Sequence, residues 1–81
     1  MEYSIIIERI DDDSLPEGYF YAHIPTLDLT THGKGIEGAQ EAAEDLIKIW
    51  IEEKIANGEH VPVELESHFS KVQIDNALLK S

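Results

Sequence analysis

The stretch between Ile36 and Ile55 constrains the fold most, because it carries one long amphipathic pattern. Its apolar residues recur mostly at intervals of three and four, the period that places side chains on one side of an α-helix. These residues are Ile36, Ala39, Ala43, Leu46, Ile47, Trp50 and Ile51. Asn57 and Gly58 follow, and glycine favours the left-handed geometry that ends helices. The sequence therefore predicts a helix of about 30 Å with one buried stripe.

The segments around this helix predict a sheet. Residues 3–10, 19–24 and about 27–32 predict three strands, because β-branched and aromatic residues alternate along them. Residues 11–18 contain three aspartates, a proline and a glycine, so they predict a loop. Residues 69–74 alternate more weakly and predict a fourth strand, and residues 75–81 predict a helical turn or a frayed tail. The order β-β-β-α-β predicts one small α+β domain over residues 1–81, with its core at about 3–74 and one long helix on one face of an antiparallel sheet.

The net charge of the chain limits the classes of partner that it is expected to bind. The chain has 81 residues, with 17 acidic and 6 basic side chains and a formal net charge of -11. Phosphate backbones and anionic membranes repel such a surface, whereas a basic protein is attracted to it. An acidic surface that only maintains solubility would give the same net charge. The sequence shows neither a signal peptide nor an apolar run approaching ~20 residues, so we expect a cytoplasmic protein without membrane contact.

No pattern in the sequence predicts catalysis, a cofactor or a metal. An RNase H-type nuclease needs several carboxylates around two metal ions. Glu8 lies in the first predicted strand, but most of the other acidic residues cluster in a loop and on the solvent side of the helix, and no spacing places three of them together. The aspartates at 11–13 lack the alternating ligands of a calcium loop. No two histidines stand at the helical spacing of a zinc site, and the chain has no cysteine. We therefore predict a binding protein that is not an enzyme.

Two groups of residues are candidate contacts for a protein partner. Carboxylates in the loop at 11–13 and on the exposed side of the helix would steer a basic protein. Aromatic residues on the second strand would supply a buried anchor if they face outward, or would belong to the core if the register is shifted by one. The candidates are Asp11, Asp12, Asp13, Tyr19, Tyr21, His23, Glu41, Glu44 and Glu52.

Short segments in order along the chain resemble the HicB antitoxin family. Tyr-Ser-Ile-Ile-Ile-Glu at 3–8 resembles its first strand, and Gly-Tyr-Phe-Tyr-Ala-His-Ile-Pro at 18–25 resembles its second. Thr-Thr-His-Gly at 30–33, Glu-Gly-Ala at 37–39 and Ala-Ala-Glu at 42–44 resemble its glycine followed by a Glu- and Ala-rich helix. Ile-Trp-Ile at 49–51 and Asn-Gly-Glu-His-Val-Pro at 57–62 resemble its helix end and the following loop. The similarity covers about residues 3–63.

The sequence departs from the family at several positions. The family commonly has a Leu-Pro-Gly-Cys type of turn after the proline at 25, and this chain has Thr-Leu-Asp-Leu at 26–29. The family often has a large residue where Gly38 stands. Many members carry a C-terminal DNA-binding domain, for which residues 63–81 are too few. We therefore do not expect the DNA-binding activity of the longer members.

The resemblance implies a partial RNase H-like fold and the role of an antitoxin. Its partner would be a small basic HicA-like ribonuclease that cleaves messenger RNA and whose active site the antitoxin masks. The alternative is an orphan homo-oligomeric module of the same fold without a toxin, and a further alternative is a divergent metal-dependent hydrolase. We expect a homodimer or homotetramer, because a domain of this size has a thin core and one sheet face stays open.

Overall fold

The fold is a three-stranded antiparallel sheet with one long helix packed on it. The computed structural model describes residues 1–9 and 13–79. The elements are β1 (Ile6–Glu8), β2 (Tyr19–Ile24), β3 (Leu29–Lys34) and α1 (Gly35–Ala56), and short 3-10 turns lie at Pro25–Leu27 and Asn76–Leu79. The strands are ordered β1-β2-β3. The prediction of a small α+β domain with an antiparallel sheet and one helix is confirmed.

The strands begin and end at slightly different residues from those predicted. β1 is shorter because residues 3–5 lie outside the ladder, and the N–H of Ser4 donates to the side chain of Glu64 instead. Residue 10, the predicted end of this strand, lies outside the described residues. β3 starts two residues later than predicted, because the proline at 25 begins a 3-10 turn. That turn ends at Asp28, whose φ of 52° is one that aspartate tolerates.

The core lies between α1 and the strands β2 and β3. The buried residues include Ala22, Ile24, Leu27, Ala39 and Ala43, with larger apolar side chains around them. Alanines on both surfaces let the helix approach the sheet closely. Glycine serves the same purpose at the start of the helix, because a Cβ on Gly33 would collide with the backbone of Gly38. The helix packs far less on β1 than on β2 and β3.

The predicted helix is confirmed to within one residue at each end. Beyond Ala56, the N–H of Gly58 donates to the carbonyl of Ile55 at 3.0 Å, and the N–H of Glu59 donates to the carbonyl of Lys54 at 2.8 Å. These two bonds form a Schellman motif, for which the φ of 68° at Gly58 suits glycine. The predicted stripe is wrong at Ile36, which is exposed. The first turn of the helix contacts the sheet through Gly38 instead.

The prediction of a fourth strand at residues 69–74 is wrong. The structure describes all of these residues, and they have no ladder bonds to the sheet. Their large apolar side chains are mostly exposed, so little burial against the sheet would order them as a strand. The helical turn predicted beyond them is present at Asn76–Leu79. The observed order is therefore β-β-β-α, followed by an extended segment and one turn.

This extended segment gives the molecule an elongated shape. Its radius of gyration is 15.8 Å and its longest dimension is 51 Å. A compact domain of this length would have a radius of gyration of about 12 Å. Part of the chain therefore lies away from the body formed by the sheet and helix.

Candidate functional site

The aromatic candidates lie on the open face of the sheet, which is the face opposite α1. Ala22 and Ile24 are buried beneath the helix, so the intervening residues of β2 point to the other side. Tyr19, Tyr21 and His23 are therefore not core residues, and each is partly exposed. The structure decides between the two readings that the sequence left open.

Contacts within the sheet hold the open face in a defined arrangement. The ring of His23 lies 2.8 Å from the hydroxyl of Thr30, measured from Nδ1 to Oγ1. The hydroxyls of Tyr21 and Ser14 are 2.7 Å apart. The rings of Tyr19 and His32 are tilted by 47°, with their centroids 6.2 Å apart. Lys34 pairs with Tyr19 across the strands, so this face is mixed in character rather than acidic.

The helix carries the negative charge on a second surface. α1 has six carboxylates and two lysines. The carboxylates all belong to exposed residues and define the acidic helix surface: Glu37, Glu41, Glu44, Asp45, Glu52 and Glu53. Lys54 contributes little positive charge to solvent, because its Nζ lies 2.7 Å from a carboxylate oxygen of Glu59 and 5.0 Å from the ring centroid of Trp50. The three helix candidates named from the sequence therefore share one exposed surface.

An apolar side chain stands beside these carboxylates. Ile49 has 61% of its surface exposed, although it belongs to the middle of the helix. Asp45 precedes it by four residues and Glu52 follows it by three, which are the spacings of neighbours on a helix. The acidic helix surface therefore combines charge that attracts a basic partner with an apolar group that a partner can bury.

The structure separates the two groups of candidate residues. The open face and the acidic helix surface lie on opposite sides of the molecule, with the sheet and the core between them. Asp13 is exposed in the turn before β2, and Asp11 and Asp12 lie outside the described residues. The tyrosines and the helix carboxylates thus form two surfaces and not one patch.

Sequence reasoning missed a polar junction centred on Glu64. Its carboxylate accepts hydrogen bonds from the N–H and the hydroxyl of Ser4, at 2.7 and 2.6 Å, and from the hydroxyl of Thr26 at 3.0 Å. The hydroxyl of Tyr3 donates to the carbonyl of Pro62 at 2.5 Å. Hydrogen bonds from the Ser4 hydroxyl and then the Ser4 N–H lower the pKa of Glu64, against a smaller opposing effect of burial. The junction fixes residues 62–64 against the N-terminal segment.

A groove lies beside this junction, between the N-terminal segment and α1. Its volume is about 370 Å³, and we call it the β1 groove because one wall is the segment that leads directly into β1. Its walls are formed by Met1, Glu2, Tyr3, Ile5, Gln40, Glu44, Ile47 and Lys48. The groove therefore has an apolar floor and a charged rim.

Residues 1–9 and 13–79 contain no group of three or more His, Asp or Glu side chains placed to hold a metal ion. Across the same residues, no helix combines the length and the apolar character needed to cross a bilayer. His68 lies at 3.3 Å from a carboxylate oxygen of Glu66, and His23 contacts Thr30 as described above.

No protein-family model matches the chain, and comparison with the curated proteins and with the solved structures found no match. The resemblance to the HicB antitoxins and the RNase H-like fold therefore rests on the sequence segments quoted above.

Proposed function

We propose that the protein is an antitoxin-type binding protein that neutralises a small basic HicA-like ribonuclease by masking its active site. The observation that carries the proposal is the acidic helix surface with the exposed Ile49 beside it. The resemblance to the HicB family supports it from the sequence.

Charge explains how such a surface would inhibit a ribonuclease. An enzyme that cleaves messenger RNA needs a basic surface to neutralise the phosphates of its substrate. A helix with six exposed carboxylates is attracted to that same surface and competes with RNA for it. Ile49 would supply the apolar contact that slows dissociation, because desolvated groups at the centre of an interface dominate its binding energy. The charges would chiefly raise the association rate.

The proposal is tested by capturing partners from the source cell at low and moderate salt. We expect the tagged protein to retain a small basic protein that cleaves RNA and whose cleavage stops when the purified protein is added. Glu41→Gln with Glu52→Gln should weaken binding by roughly 10-fold, mainly through slower association. Glu17→Gln with Glu66→Gln changes the net charge equally at exposed sites outside the helix, and it should weaken binding much less. Capture of no small basic protein at either salt concentration, or equal losses from both double variants, would refute the proposal.

A second candidate is an orphan homo-oligomeric module of the same fold without a toxin. The exposed apolar side chains after residue 68 favour it, because they suit association between copies. The antitoxin would be favoured by a neighbouring gene that encodes a short basic protein, if that protein copurifies with this one when the two are co-expressed. A self-associating protein that retains no toxin from the co-expressed gene would favour the orphan.

A further inference from the structure

The last part of the described chain is an apolar arm that the body of the protein leaves uncovered. We call residues 69–79 the C-terminal arm. Phe69 is 70% exposed, Val72 78% and Leu78 73%, and Ile74 and Leu79 are also exposed. Lys71 and Asp75 are its only charged residues, so the arm is close to neutral in a chain with a net charge of -11.

The path of the chain carries this arm away from the groove of its own molecule. The junction at Glu64 holds the chain against Ser4, and Tyr3 belongs both to that junction and to the wall of the β1 groove. Residues 67–69 then lie beside Ser4, Ile6 and Pro25. Ile6 pairs with His23, so it lies on the open face, whereas the β1 groove is on the helix side of the strand. The chain therefore passes its own groove and continues on the opposite side of β1.

We propose that the C-terminal arm of a second copy occupies the β1 groove, and that the two copies exchange their arms in a two-fold symmetric dimer. In each chain the arm starts near the N-terminal segment that forms one wall of the groove. Two copies can therefore exchange arms in both directions, and neither groove is left empty. The groove supplies the apolar surface of Ile5 and Ile47 beneath a polar rim. This inference specifies the expected self-association, and it stands whether or not the protein is an antitoxin.

The charge of the arm favours a second copy as its occupant. Two chains of net charge -11 repel each other wherever acidic surfaces meet, and the helix surfaces cannot approach closely. A nearly neutral arm crosses between the copies without adding to this repulsion.

The apolar surface of the arm also approaches what a small dimer interface buries. Five large apolar side chains per arm are exposed, namely Phe69, Val72, Ile74, Leu78 and Leu79. At on the order of 100 Å² each, two arms supply roughly 1,000 Å² of apolar surface, which approaches the ~1,200 Å² at the lower end of specific interfaces.

The first test is the mass of the full chain in solution, measured by light scattering after size-exclusion chromatography. We expect a species of twice 9.1 kDa. Val72→Ser with Leu78→Ser should weaken dimerisation by on the order of 1,000-fold, because four buried side chains are lost per dimer. Leu65→Ser is the control, since Leu65 is 94% exposed but precedes the arm. A wild-type monomer at every accessible concentration, or an equal loss from Leu65→Ser, would overturn the proposal.

The second test locates the arm by disulfide cross-linking, which the absence of native cysteine makes unambiguous. A chain carrying Gln40→Cys, at the groove, is mixed with a chain carrying Leu78→Cys, on the arm. We expect mixed disulfide dimers from this pair, and few from Glu53→Cys with Leu78→Cys, because Glu53 is far along the helix from the groove. Equal yields from both pairs would overturn the proposal, as would a chain with both Gln40→Cys and Leu78→Cys that forms the bond only within itself. No toxin is needed, so failure here is distinct from failure of the proposed function.

Discussion

The close contact between Gly33 of β3 and Gly38 of α1 gives a sharp test of how the helix lies on the sheet. A Cβ built on Gly33 would collide with the carbonyl group of Gly38 and the N–H of the next residue. These are backbone atoms, which cannot rotate away as a side chain can. A Cβ built on Gly38 would meet its nearest neighbour, the carbonyl carbon of Gly33, at 3.5 Å, which is ordinary van der Waals contact.

The two glycines should therefore respond in opposite ways to the same substitution. For Gly33→Ala we expect a loss of about 3 kcal/mol in the free energy of unfolding, at the upper end for overpacking, because the helix must move off the sheet. A domain of 81 residues has a total stability of roughly 4–12 kcal/mol, so this loss removes a large part of it. For Gly38→Ala we expect no loss, and up to about 1 kcal/mol of gain, because alanine favours the helix.

Urea unfolding measures both changes. Far-UV circular dichroism reports the loss of α1, and the fluorescence of Trp50, which packs against the core, reports the loss of tertiary contacts. Both variants are compared with the wild type at one protein concentration, because self-association contributes to apparent stability. Equal effects of the two substitutions, or a stable Gly33→Ala with an unchanged midpoint, would show that the helix does not approach β3 at this point.

Three further predictions concern stability. Glu64→Gln should lower the melting temperature at pH 7 and should make the melting temperature depend less on pH in the acidic range. Because folding lowers the pKa of Glu64, the stability that its carboxylate contributes is complete above the ordinary pKa of 4.5 and is lost as the pH falls through the folded pKa. Thermal melts between pH 7 and pH 3 should therefore show a smaller loss of stability in acid for Glu64→Gln than for the wild type. Ile24→Ala should cost about 3 kcal/mol because Ile24 is fully buried, whereas Ile36→Ala at an exposed site should change the unfolding free energy by under about 0.5 kcal/mol. Gly58→Ala should cost about 1 kcal/mol, measured by thermal melts, because alanine is strained at a φ of 68°.

The local features of the fold were predictable, and the distant ones were not. The apolar stripe and the stop at Asn57 and Gly58 lie within the helix or next to it, so they placed α1 to within one residue. Alternation in β2 divided its residues correctly between two faces, but only the packing of α1 shows that Tyr21 faces outward. The junction between Ser4 and Glu64 joins residues 60 positions apart, and no spacing in the sequence indicates it.

The fourth strand shows a different limit of sequence reasoning. Alternating residues such as Val72 and Ile74 indicate that a segment can be a strand, but a strand also needs an edge to pair with. Here the chain is fixed beside β1 through the side chain of Glu64 rather than through a backbone ladder. The alternation is therefore present while the pairing is not.

The two proposed interfaces meet at Glu44, which belongs to both the acidic helix surface and the wall of the β1 groove. Glu41 and Glu52 belong only to the acidic helix surface and are not part of the groove wall. An arm seated in the groove would cover Glu44 and leave the other two carboxylates free for a basic partner. Glu44→Gln should consequently alter the dimer dissociation constant, whereas Glu52→Gln should alter only the capture of the partner. If Glu52→Gln shifted dimerisation as much as Glu44→Gln, the two interfaces would not be separate and the assignment of the groove to a second copy would be wrong.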